Sequence, residues 1–104
     1  MPRLGNLAAF VLLASASSAL GGCGAVYYTA QIHSAESRVE QARAVGAEQY
    51  APYEFYFAEE HLKKAKTEAG EASYGDAATY AEVSEEYARK AIDLAKVQKA
   101  KKAP

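Results

Sequence analysis

The residues of this chain whose types could do chemistry are few: one thiol, Cys23; two imidazoles, His33 and His61; beyond the thiol in the chain, serines at Ser34, Ser37, Ser73 and Ser84; and a set of carboxylates. A protein-bound metal normally takes three or four ligands, and there is no second thiol to join the histidines. Glu-x-x-His, the inward motif of di-metal helical bundles, would need Glu at position 58, where the chain has Ala58. His33 and Glu36 share a helix face, but one imidazole beside one carboxylate reads as a solvated pair. No Gly-rich phosphate loop occurs, and the serines stand in helix or cap contexts without a His and Asp to activate them. Glu59-Glu60 and Glu85-Glu86 precede Lys63-Lys64 and Arg89-Lys90 by four residues, with Glu first. That order supports a helix by ~0.2–0.5 kcal/mol per pair and needs no catalytic explanation. The expectation is a protein that is not an enzyme and holds no metal or non-covalent cofactor. The rival expectation is a small-ligand or metal carrier built on His33, His61 and tyrosines.

The cysteine has a different chemistry available. Arg3 is the only charge before His33 and Glu36, and it precedes an apolar stretch from Leu7 to Leu13 that fades into the small residues of Ala14 to Ala19. The run is too short and too rich in serine for a spanning helix, which needs ~20 apolar residues, so residues 1–22 read as a signal peptide. Leu20-Gly21-Gly22-Cys23 resembles the bacterial lipobox. Leu20, Gly21 and Gly22 would be read by the lipoprotein signal peptidase, and the Cys23 thiol would carry a diacylglycerol. Two or three acyl chains, at ~0.8 kcal/mol per buried methylene, turn a soluble domain into a stably tethered one. Gly24 follows the cysteine, and by resemblance to the proteobacterial sorting pattern the absence of Asp there implies the outer membrane, with the domain facing the periplasm. The alternative is an ordinary secreted protein cut near Ala16.

The elements that must carry these residues are helices. The whole chain is 104 residues with 12 Lys+Arg against 13 Asp+Glu, which excludes a multidomain enzyme and gives no electrostatic case for nucleic-acid binding. Tyr28, Ile32, Ala35, Val39, Ala42 and Gly46 keep helical spacing, as do Phe55, Ala58, Leu62, Ala65 and Ala69, and then Ala77, Tyr80, Ser84, Tyr87, Ala91 and Leu94. Gly46 suits a left-handed cap, Pro52 a first helical turn, and Ser73 to Asp76 a capping box. Helices are expected near 29–45, 52–70 and 74–101. The domain assignment is a signal peptide over 1–22, a lipidated tether over 23–28 and an Ala-rich helical domain over 29–102. The fold class is all-α: a three-helix antiparallel bundle, or a helical hairpin plus one helix.

A weak repeat, small-Glu-x-x-apolar-x-x-Ala, recurs at Ala35–Ala42, Ala58–Ala65 and Ser84–Ala91. It reads as three amphipathic helices converging on one pattern; a tetratricopeptide-like pair is the alternative. With Gln49 to Tyr53 and Tyr74-Gly75-Asp76-Ala77, these segments resemble a group of short Ala-rich bacterial lipoproteins known as a family with a domain of unknown function. Some relatives carry an OmpA-like peptidoglycan-binding domain after the helices. The resemblance implies work at the cell envelope and supplies no catalytic residues.

Two features remain for binding. Tyr50, Tyr53, Phe55, Tyr56 and Phe57 cluster at the start of the second helix. On a helix Tyr53, Tyr56 and Phe57 lie together while Phe55 points elsewhere. The cluster is expected to be buried on both faces, one against each neighbouring helix; the alternative is a Tyr-rich partner surface of Tyr50, Tyr53, Tyr56 and Phe57. Lys96, Lys99, Lys101 and Lys102 complement the macrodipole at a helix C-terminus, or meet an anionic surface on an end projecting beyond the bundle. The functional expectation is a non-catalytic structural or protein-interaction module, held to a membrane by lipid, with an envelope protein or peptidoglycan as partner.

Overall fold

The computed structural model describes residues 26–103, so the signal segment, the lipobox residues Leu20, Gly21 and Gly22, and Cys23 lie outside the described residues. Four helices and no strand are present among the described residues: α1 over 26–44, α2 Ala47–Tyr50, α3 Pro52–Gly70 and α4 Tyr74–Lys102. Helices α3 and α4 follow the expected boundaries, while α1 already covers residues 26–28, expected in the tether. The short α2 is additional, and its cause is local. Gly46 takes a left-handed φ of 83° and stops α1, its N–H donating to the Arg43 carbonyl. Pro52 six residues later forces Ala51 out of the helical region, to φ −145°. Between the two breaks there is room for one turn.

The α3–α4 connection ends α3 with a Schellman arrangement. The Ser73 N–H donates to the Glu68 carbonyl (2.9 Å) and the Ala72 N–H to the Ala69 carbonyl (3.1 Å). The left-handed position in it is occupied by Ala72, at φ 60°, and not by Gly70, which ends the helix. This corrects the capping-box expectation. Ser73 sits at the N-cap of α4 with φ −85° and ψ 69° and makes no side-chain cap hydrogen bond. Its backbone is committed to the α3 terminus.

The core is an alanine seam. On α4 the buried positions Ala77, Ala81, Ser84, Ala88, Ala91 and Ala95 are spaced 4, 3, 4, 3, 4. From Ala81 onward they pack against Ala51, Phe55, Ala58, Leu62 and Ala65, and from α1 Ala35, Val39 and Ala42. Sustained 3.5-residue spacing is the pattern of supercoiled helix packing, and small side chains let the axes approach. The Ser84 hydroxyl donates to the Ala58 carbonyl at 2.6 Å across the α3–α4 seam, and a side chain as short as serine reaches another backbone only when the two helices lie close. The repeat is the core itself. Its first, fifth and eighth positions are buried in all three helices: Ala35, Val39 and Ala42; Ala58, Leu62 and Ala65; Ser84, Ala88 and Ala91.

Helices α1 and α3 run antiparallel, tied by two reciprocal ion pairs. Lys66 Nζ lies 2.8 Å from Glu36 Oε1, and Arg43 Nη2 lies 3.8 Å from Glu59 Oε1. At the other end of α1 the Tyr27 hydroxyl donates to Glu82 Oε1 (2.5 Å), and Tyr28 stacks on Tyr74 with ring centroids 4.6 Å apart. The start of α1 is thereby clasped to the first turns of α4. Among the described residues no helix is long and apolar enough to cross a membrane.

Candidate functional site

Three helices can enclose one core, and the side of α3 turned away from it stays uncovered. Phe55 is fully buried, whereas Tyr53 is 68% and Tyr56 49% exposed. The expectation that the cluster is buried on both faces is therefore corrected: one aromatic goes inward, and Tyr53, Tyr56 and Phe57 form an outer face. Tyr50 leaves that group. It is half-buried on α2, packs against the core and lies over Gly46, where an added Cβ would stand 3.2 Å from its Cδ2.

The outer face continues into a strip shared by α3 and α4. Tyr53 and Phe57 are tilted with centroids 6.0 Å apart, Phe57 lies 4.0 Å from Tyr87 and 4.1 Å from His61, and His61 lies 6.0 Å from Tyr80. Lys64 and Lys90 each place Nζ 4.5 Å from a ring centroid, over Tyr80 and Tyr87. Those two cations cover the α4 rings. Tyr53, Tyr56 and Phe57 are left as the accessible part, beside a groove floored by Leu94 and the half-exposed Val97. Of the six α4 positions that keep helical spacing, Ala77, Ser84 and Ala91 lie in the seam, while Tyr80, Tyr87 and Leu94 stand one position before Ala81, Ala88 and Ala95, flank the core and line the strip.

Polar geometry fixes several of these rings. The Tyr56 hydroxyl donates to Glu48 Oε1 at 3.1 Å, and that bond to a carboxylate raises its pKa above the ordinary 10.0. The Tyr27 hydroxyl is raised in the same way, first by its hydrogen bond to Glu82. Lys64 is held above its ordinary value chiefly by Tyr80, and Lys90 chiefly by its hydrogen bond to Glu86. His61 Nδ1 lies 2.9 Å from the Phe57 carbonyl, which can only accept, so the proton sits on Nδ1.

The two histidines are not brought together. His33 is exposed on α1, 3.8 Å from Glu36, and His61 lies on α3 within the aromatic strip. Among the described residues no group of three or more His, Cys, Asp or Glu is placed to share a metal ion.

Among the described residues the last turns of α4 have a neighbour on one side only. Helix α2 lies beside the last turns, and Lys102 Nζ sits 5.4 Å from the centroid of Tyr50. Continued past Ala95 at the same spacing, the seam reaches Gln98 and then Lys102, so it turns polar in the last turns of α4. Lys96, Lys99, Lys101 and Lys102 are all exposed.

A family model described as Domain of unknown function (DUF4398) matches residues 30–104, which takes in nearly all of α1 and the whole of α2 to α4. No curated protein and no solved structure matches the chain.

Proposed function

The chain belongs to the DUF4398 family, and we propose that it is a non-catalytic helical docking module of the bacterial envelope, tethered to the outer membrane by lipid on Cys23 and facing the periplasm. The tether rests on the lipobox Leu20-Gly21-Gly22-Cys23 behind a charged and then apolar leader. Docking rests on one observation: a bundle short of large core residues leaves Tyr53 and Tyr56 in solvent, next to Phe57 and Val97. Burying both tyrosines would have added apolar contact to a marginal core, and Tyr is the residue type enriched at protein interfaces. The proposed partner is another envelope protein that covers this strip.

Photocrosslinkers at positions 53 and 56 in live cells test the reading, with position 37 on the exposed side of α1 as the control. One species trapped from 53 and 56 and missing from 37 is the expected result. Trapping nothing, or the same species from all three, overturns it. The tether is read from Cys23→Ser, which should move the chain from the membrane to the soluble fraction and remove a lipid-sized mass.

A further inference from the structure

Charge is segregated along the bundle axis. Residues 67–88, spanning the end of α3 and the first half of α4, hold six carboxylates and no Lys or Arg. Residues 94–103, the last turns of α4, hold four lysines and no carboxylate. The ion pairs among the described residues use Arg43, Lys66, Arg89 and Lys90, and none uses Lys96, Lys99, Lys101 or Lys102. One neighbouring carboxylate, Glu48 on α2, is taken by the Tyr56 hydroxyl.

The fold sets which end carries the anchor. Tyr27 and Tyr28 hold the start of α1 to Glu82 and Tyr74, at the acidic end. Cys23 precedes Val26 by three residues, so the chain allows it no more than about 10 Å from that end. From Tyr74 to Lys102, α4 rises about 42 Å. The α1–α3 groove of Glu36, Glu40, Glu59, Arg43, Lys63 and Lys66 carries both signs, whereas at the far end four lysines of α4 outnumber the one nearby α2 carboxylate, Glu48.

We propose that Lys96, Lys99, Lys101 and Lys102 form a docking end for an acidic polymer bearing carboxylates or phosphates, held about 40 Å beyond the membrane that anchors the opposite end. This rests on the proposed Cys23 tether. Lysines are compact, hydrated point charges on flexible stems, which suits a repeating anion more than a shaped pocket. An anionic lipid surface at the anchor would meet the carboxylate-rich end, and attraction to it falls off within a Debye length of ~8 Å.

The test uses the lipidated full chain in phosphatidylcholine vesicles, with fluorescent polyglutamate and polyphosphate as probes. The expected result is polymer captured on the vesicles, about 100-fold more weakly by the K96Q/K99Q/K101Q/K102Q variant and weakening steeply with salt. Circular dichroism checks that the variant keeps its helix, and the two polymers tell carboxylate from phosphate. Equal capture by both proteins, or none by the wild type, overturns the proposal. Quenching of a fluorophore at position 103 by lipid-borne quenchers in phosphatidylglycerol vesicles also overturns it, because the basic end would then lie on the membrane. Flotation before polymer is added scores the tether by itself, and repeating the capture with unlipidated chain on polymer-coated beads scores the basic end by itself.

Discussion

Ala72 and Gly46 occupy the same left-handed region with opposite suitability. At Ala72 an L side chain meets the steric cost that glycine escapes, and its φ of 60° is fixed by the two hydrogen bonds that close α3. Ala72→Gly should raise stability by about 0.5–1 kcal/mol, or several degrees in Tm for a domain of this size. Gly46→Ala should lower it, since φ is 83° and the new Cβ would press on Tyr50; differential scanning calorimetry of both variants checks the contrast. Tyr27 and Tyr56 predict a second effect. Both have pKa values raised above 10.0 by carboxylate partners, so their contribution is fully present below pH 10 and is lost as pH rises through the raised values. The Tyr27→Phe/Tyr56→Phe variant should therefore be less stable than the wild type below pH 10, with the gap closing as pH rises through the raised values; urea midpoints across that range check it, and the variant's phenolate absorbance should lack the late-titrating component.

At the scale of elements, periodicity and punctuation were enough to find α1, α3 and α4, because Ala-rich amphipathic runs stopped by Gly46, Pro52 and Gly70 leave the backbone few alternatives. Three details were not legible. The α2 turn arises only once Gly46 and Pro52 break the chain independently, and the Ser73 cap was displaced by a terminus closed through Ala72. Half of the α4 stripe, Ala77, Ser84 and Ala91, lies in the seam, but Tyr80, Tyr87 and Leu94 stand one position short of the buried Ala81, Ala88 and Ala95, which repeat as regularly. Size decides between the two sets: a seam that brings helices close enough for Ser84 to reach the Ala58 carbonyl has no volume for tyrosine. The outward aromatic face was open for the same reason, as the sequence does not say which side of α3 a third helix leaves bare. Ala88→Leu should then cost about 1–3 kcal/mol by overpacking, despite adding apolar surface, and a lower urea midpoint in Ala88→Leu than in the exposed Ala100→Leu would report it.

Taken whole, the described residues make a bundle whose large, completely buried side chain is Phe55, with alanines supplying most of the remaining core. A domain of this length has about 4–12 kcal/mol of stability to lose, and truncating a buried phenylalanine costs about 3–5 kcal/mol. Phe55→Ala should leave the chain mostly unfolded or melting far below the wild type, while Tyr53→Ala on the outer face should melt within a few degrees of it; thermal circular dichroism separates them. The clasp of Tyr27 and Tyr28 has a mechanical meaning as well. Helices α1 and α4 run in the same direction, so a pull between the start of α1 and the end of α4 cannot peel one helix from the other a turn at a time. It loads the whole alanine seam in shear, beginning at Glu82 and Tyr74.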